Sequence, residues 1–170
     1  MIVEKDSKVA LVLGDDVSTD TIYPGRYMAT VLPAETPQFA FADIKEFTTR
    51  VKTGEISAGS ILVAGENFGC GSSREQAVSC LCGLGLIVIV KGIARIFLQN
   101  AINLGLKVVI CPDLEAKEGD RLEITGEMVI NHRTGRSHNI LPLPKSRQAI
   151  MEAGGLIPYT RNRLQDRNRI

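Results

Sequence analysis

The run Leu86-Ile87-Val88-Ile89-Val90 constrains this chain more than any other stretch. It has no polar residue and no alternation, so a strand built from it must be covered on both faces, as in a parallel sheet. Helical spacing flanks it on both sides. Ala77, Val78, Leu81 and Leu84 recur at steps of three and four before it, predicting a helix over 73–84. Ile93, Ile96, Phe97, Ala101 and Leu104 do the same after it, with Gly105 placed to stop the helix. Residues 60–64 and 107–111 supply two further apolar strands, the second halted by Pro112. The order is strand–helix–strand–helix–strand: an α/β chain with a parallel βαβαβ core and right-handed crossovers.

The flanking segments read less sharply. Residues 8–13 predict a strand that delivers the loop Gly14-Asp15-Asp16-Val17-Ser18-Thr19-Asp20-Thr21. A weak helical pattern covers 38–51. Residues 121–125 and 128–131 predict an antiparallel hairpin, with a further turn at 133–136 before a strand at 138–141. A short helix is expected at 145–153, and the basic tail at about 161–170 is expected to be frayed or solvated. Nothing in the 170 residues marks a linker, so residues 1–170 read as one domain.

The chemistry concentrates in Gly65-Glu66-Asn67-Phe68-Gly69-Cys70-Gly71-Ser72-Ser73-Arg74-Glu75-Gln76, between the strand at 60–64 and the following helix. In parallel sheets ligands bind at the carboxyl ends of strands, where this loop begins. Glycines let backbone approach a ligand closely, and a helix start presents free N–H groups to an anion. The competing structural reading is a capping box, Ser72 as N-cap with Glu75 three residues on. Arg74 in the first helical turn weighs against a cap alone, because a cation there is unfavourable unless an anion joins it. The loop therefore reads as an anion site, with a carboxylate as the ligand.

Familiar glycine loops do not fit. A Walker A loop needs a lysine after its last glycine, and Ser72 follows Gly71. A dinucleotide fingerprint needs a third glycine where Arg74 stands. The nucleophile elbow pattern fails as well. Cys70 has no histidine partner in the pattern and reads as a wall residue. Asp15, Asp16 and Asp20 read as loop caps ahead of a cation site, and His132 and His138 as surface turn residues. Arg95 either assists the anion site or is simply exposed.

Twenty basic against 19 acidic residues, a net charge of +1, leave no basic stripe for nucleic acid, and the absence of tryptophan argues against base stacking. No apolar run is long enough for a signal peptide or a membrane span. The four cysteines, Cys70, Cys80, Cys82 and Cys111, form neither a secreted disulfide framework nor a cluster or zinc motif. A reducing cytoplasm is the expected location.

The loop at 65–77 closely resembles the signature of the aconitase swivel domain, nearest its stand-alone form in the small subunits of 3-isopropylmalate dehydratase and homoaconitase. Residues 14–27, Ala94-Arg95-Ile96-Phe97 with Asn100, Asn103, Gly105 and Leu106, and Ala153-Gly154-Gly155-Leu156 resemble further motifs of that family. The resemblance implies a swivelling β/β/α domain that works with a separate large subunit carrying a four-iron four-sulfur cluster, with no metal bound by this chain. It implies Ser72 as general base and Ser73 and Arg74 as ligands of a substrate carboxylate, with Thr19 and Asp20 as the N-terminal active-site pair. The implied substrate is a small hydroxy-dicarboxylate.

In the same family the segment Tyr27-Met28-Ala29-Thr30 is the specificity loop. Homoaconitase-type members resemble Tyr-Leu-Arg-Thr there, and Ala29 stands where their arginine would hold an extra carboxylate. Isopropylmalate-type members resemble Tyr-Leu-Val-Tyr, from which Thr30 departs, and Gly92 departs from the usual serine. Met28, Ala29 and Thr30 are thus expected to face the substrate's alkyl group. That leaves 3-isopropylmalate first, with 2,3-dimethylmalate, citramalate and a homoaconitase substrate as alternatives. A non-catalytic anion-binding module is the reading from a different class.

Overall fold

Four strands run parallel: β1 (Glu4–Val12), β2 (Ile61–Ala64), β3 (Ile87–Val90) and β4 (Lys107–Ile110). The computed structural model describes residues 2–167. The β1–β2 crossover carries α1 (Thr19–Ile22) and α2 (Lys45–Lys52); α3 (Glu75–Gly83) and α4 (Arg95–Leu104) make the next two. An antiparallel meander follows, β5 (Arg121–Ile124), β6 (Met128–Asn131) and β7 (Arg136–Asn139), then α5 (Lys145–Glu152) and α6 (Leu156–Arg167). The strand order is β4-β3-β2-β1-β5-β6-β7.

Burial explains the unbroken apolar runs. Leu62, Ala64, Val88 and Val90 face the helices and pack with Ala77, Leu81, Phe97 and Ala101. Ile61, Val63, Ile87 and Ile89 face the other way and pack with Leu122, Ile124 and Val129 of the meander. Each such Val, Leu, Ile or Phe side chain contributes about 1.5–3 kcal/mol on burial. Exposed ion pairs such as Arg121–Asp6 are screened by solvent and add little, so the sheet core and not the surface charge holds the fold.

The sheet curls on itself. The Leu141 N–H donates to the Ile110 carbonyl at 2.8 Å, so the segment after β7 bridges the free edge of β4. Curling protects an edge that would otherwise present unpaired backbone groups. It also leaves one mouth at the carboxyl ends of the parallel strands and another at their amino ends.

Several elements differ from the sequence expectation. β1 begins at Glu4, not near residue 8, because Glu4, Ser7 and Lys8 pair antiparallel with β5. The charged stretch at 4–8 carries no strand pattern, and tertiary pairing alone recruits it. The helix expected at 38–51 is a 3-10 turn at Thr36–Phe39 followed by α2. Phe41 interrupts it with φ 49°, donating its N–H to the Ile22 carbonyl while its ring is fully buried. Where a frayed tail is expected, α6 continues to Arg167 with residues 161–165 exposed; residues 168–170 lie outside the described residues. No helix among the described residues is long and apolar enough to cross a membrane.

One buried carboxylate ties the β6–β7 turn of the meander to the loop that leads into it. Asp120, 4% exposed, accepts hydrogen bonds from Arg133, from Asn131 Nδ2 at 2.8 Å and from the Lys117 N–H at 2.9 Å. The Arg133 hydrogen bond holds its carboxyl far below the ordinary carboxylate range. A depressed carboxyl pKa contributes stability above the unfolded value, about 3.9, and that contribution is lost as pH falls below it. Asp120→Asn should cost about 2 kcal/mol at pH 7, with the deficit narrowing below about pH 4. Urea unfolding of both proteins across that range checks this; a deficit constant with pH would refute the ionic account.

Candidate active site

β1 and β2 are neighbours, and the loops that leave their carboxyl ends are hydrogen-bonded along their length. The Gly65 N–H donates to Gly14 O at 3.0 Å, Asp16 N–H to Glu66 O at 2.9 Å, Gly69 N–H to Val17 O at 2.7 Å and Thr19 N–H to Cys70 O at 2.8 Å. Side chains reinforce the pairing: Asp15 Oδ1 accepts the Glu66 N–H at 2.8 Å, and Asn67 Nδ2 donates to Asp16 Oδ1 at 2.7 Å. Asp15 and Asp16 are therefore loop ligands, in keeping with their reading as caps.

The opposite flank of the glycine loop is fastened to the start of α4. Phe68 N–H donates to Gly92 O at 3.1 Å, and Ala94 N–H to Phe68 O at 2.9 Å. The Phe68 ring is fully buried, edge-on to Phe97 at 5.2 Å. Gly69 has φ 77°, and a Cβ there would fall 2.2 Å from Phe97 Cγ. At Gly92 a Cβ would fall 1.9 Å from Glu66 Oε2. The departure from serine at 92 thus makes room for the Glu66 carboxylate.

The capping box does not form. Arg74, not Ser72, is the N-cap of α3, and no side chain caps that end. Gly71, at φ 97°, turns the chain so that Ser72 and Ser73 precede the helix and stand exposed. Ser72 is consequently free for another task. Its Oγ lies 3.2 Å from Thr19 Oγ1, and Thr19 is 2% exposed at the start of α1. A buried hydroxyl thus supports an exposed one.

Arg74 points back across the site to α1. It donates to Asp20 Oδ1 and to the Tyr23 carbonyl at 3.3 Å. That hydrogen bond lowers the Asp20 carboxyl below its ordinary range. The ion pair fixes the guanidinium beside the serine loop. Asn100 of α4 donates to the Ser73 carbonyl at 3.4 Å. The structure therefore brings Thr19, Asp20, Ser72, Ser73 and Arg74 together.

Met28, Ala29 and Thr30 follow a 3-10 turn, Gly25–Tyr27, that begins beside Arg74. Their backbone is tied to Tyr23, whose hydroxyl donates to Tyr27 O at 3.2 Å and Thr30 O at 3.4 Å. Tyr27 stacks on Phe39 at 4.2 Å. The Met28 and Ala29 side chains are exposed, and no hydrogen bond among the described residues joins this segment to Ser72 or Ser73. Tyr23 and Asn100 also contribute; the sequence places both in family-like motifs but assigns neither a role. A tyrosine in an apolar context gives no sign of where its hydroxyl ends.

The cysteines do not converge. Cys70 is half-buried with its thiol donating to Asp16 O at 3.4 Å, a wall position. Burial raises the thiols of Cys82 and Cys111 to about 11 and pushes Cys80 higher still, so all three stay protonated at neutral pH. Among the described residues no group of three or more His, Cys, Asp or Glu side chains is placed to hold a metal. These residues do not fit an iron–sulfur cluster, whose ligands are thiolates. His132 lies exposed 3.5 Å from Glu123, and His138 sits within β7, not in a turn. Arg95 opens α4 and is exposed.

Residues 19–112, which include Thr19, Asp20, Ser72, Ser73 and Arg74, match the model of the aconitase C-terminal domain. The chain belongs to the aconitase C-terminal domain family. Within it, the chain is 41% identical over 157 residues to the 3-isopropylmalate dehydratase small subunit of Thermodesulfovibrio yellowstonii, covering 89% of this chain and 90% of that one. It is 42% identical over 160 residues to the isopropylmalate/citramalate isomerase small subunit of Methanocaldococcus jannaschii, covering 90% and 92%. A crystal structure of 3-isopropylmalate dehydratase from Methanocaldococcus jannaschii matches with a TM-score of 0.88 at 37% identity, covering 99% of both chains.

The tight packing of the glycine loop gives a test. Gly69→Ala combines a positive φ with a clash against Phe97 and should cost more than about 2 kcal/mol. Gly25→Ala, whose Cβ would meet nothing closer than 3.4 Å, should cost less than about 1 kcal/mol. Urea unfolding measures both, and equal losses would refute the clash argument.

Proposed function

We propose that this chain is the small subunit of a two-chain hydro-lyase that isomerises an alkyl-substituted malate, 3-isopropylmalate first, by removing and re-adding water. The carrying observation is an open half-site: an exposed Ser72 backed by buried Thr19, beside an Arg74 already fixed by Asp20. Proton abstraction next to a carboxylate needs a dry, enclosed setting, and this surface is uncovered. A large subunit supplies the cover, in keeping with the "small subunit" names of the relatives.

On this reading Ser72 takes the proton from the carbon beside a substrate carboxylate. A serine hydroxyl is a weak base, so its alkoxide needs stabilising. The Thr19 hydroxyl, the free N–H groups at the start of α3 and the Arg74 guanidinium all favour the anion. Ser73 and Arg74 hold the carboxylate, and Asp20 keeps Arg74 in place. A four-iron four-sulfur cluster on the large subunit would supply Lewis-acid help for the departing hydroxyl. Water leaves, an unsaturated dicarboxylate forms, and water returns at the neighbouring carbon.

Met28, Ala29 and Thr30 form the wall for the alkyl substituent, and Ala29 leaves no cation for a third carboxylate. Citramalate is a second substrate on this reading, favoured by the isopropylmalate/citramalate isomerase among the relatives. Free thiols, three of them held protonated, accord with a cytoplasmic setting.

With a cluster-bearing partner purified without oxygen, Ser72→Ala should lower kcat by about 10³-fold while the complex still forms. Absorbance of the unsaturated acid reports turnover, and gel filtration reports assembly; full activity would remove Ser72 as base. Ala29→Arg should shift the kcat/KM ratio toward a tricarboxylate, homocitrate, by about tenfold. An unchanged ratio would show that this segment does not set specificity.

A further inference from the structure

The curled sheet has a mouth on the same edge as the serine loop, and that mouth is a separate cavity of about 680 Å³. Lys91, at the end of β3, reaches it from one side. Lys117 reaches it from the loop after β4, and Arg133 and Arg136 from the β6–β7 turn. Asp15 and Glu115 are the acidic residues of its lining, so four cations face two carboxylates. In a chain of net charge +1 this is a local concentration of positive charge.

The existing partners leave that excess on the lysines. Arg133 spends Nε and Nη2 on buried Asp120, and Arg136 lies 3.2 Å from Glu115. Asp15 Oδ1 accepts the Glu66 N–H. Among the described residues neither Lys91 nor Lys117 has an ion-pair partner. Counting Asp120 behind Arg133, four cations meet three carboxylates, and the excess positive charge lies on the two lysines at one concave site, which suits a compact oxyanion. The lining holds no aromatic ring, which removes the stacking platform a nucleotide base would use.

We propose that this mouth is a second anion site, distinct from the serine loop, that takes a small oxyanion: a short dicarboxylate or inorganic phosphate. The site is independent of the catalytic reading, because its ligands lie outside the Ser72, Ser73 and Arg74 group. Its wall is nonetheless shared. Gly14, Asp15 and Gly65 line the cavity, and the same residues fasten the glycine loop. An anion in the mouth therefore acts on Asp15, and through it on the Glu66 amide.

Titration calorimetry of the full chain with inorganic phosphate and with succinate tests the site. Saturable binding of at least one anion is expected, and the stronger of the two identifies the source. Lys91→Gln and Lys117→Gln, both at exposed positions, should each weaken it at least about fivefold. Ser72→Ala should leave it unchanged, and amide exchange at Glu66 should respond to the bound anion. No saturable binding of either anion would overturn the proposal. So would binding that survives both lysine changes or is lost in Arg74→Gln, since that places the anion at the serine loop.

Discussion

The pairing of the β1 and β2 exit loops is the constraint on which the site depends. Two adjacent parallel strands end side by side, and their loops continue the contact as irregular backbone hydrogen bonds from Gly14–Gly65 to Thr19–Cys70. Without that seam a loop this rich in glycine would be too mobile to hold a reacting hydroxyl, because glycine gives up the most conformational freedom on ordering. Asp15 and Asp16 complete it by accepting hydrogen bonds that backbone carbonyls do not reach. Their distance in sequence from Glu66 and Asn67, about fifty residues, is bridged by the parallel register of Val9 with Ile61 and Val12 with Val63. The sheet core thus sets the geometry of the site.

What was legible in the sequence follows from the same logic. Runs such as 86–90 carry their environment in their composition, since only a strand covered on both faces tolerates five apolar residues in a row. The serine loop was legible because its residue types are individually costly: positive-φ glycines, adjacent hydroxyls and an arginine beside a helix start. The start of β1 was not, because Glu4 to Lys8 is a charged stretch held by its antiparallel partner β5. The helix expected at 38–51 is broken for a similar reason. Phe41, inside that stretch, serves as a buried plug in a turn, a role decided by the space beneath it.

The capping box is the most instructive difference. Ser72-x-x-Glu75 satisfies the local rule for a helix start, and the helix nonetheless begins at Glu75 with Arg74 as its cap. Tertiary contacts override local capping: the seam holds residue 70, Gly71 turns, and Asp20 and Tyr23 hold the Arg74 side chain. A net cap contribution of about 1 kcal/mol is small beside the burial of Phe68, Ala77, Val78 and Leu81 around it. Releasing Ser72 from capping is what leaves its hydroxyl available, supported by the Thr19 hydroxyl.

The distribution of charge completes the picture. A near-neutral chain has placed Arg74 and the Lys91, Lys117, Arg133 and Arg136 group along one edge of its sheet, while Lys107–Glu4 and Arg121–Asp6 neutralise each other elsewhere. That edge is also where the parallel strands end and where α3 presents its free N–H groups. Field, dipole and backbone donors therefore point the same way, toward anions approaching one rim. Arg74 is matched by Asp20, Arg133 by buried Asp120 and Arg136 by Glu115, so the unmatched cations of the rim are the two lysines. Among the described residues Lys91 and Lys117 have no ion-pair partner, so the rim keeps an excess of positive charge in a chain whose net charge is +1.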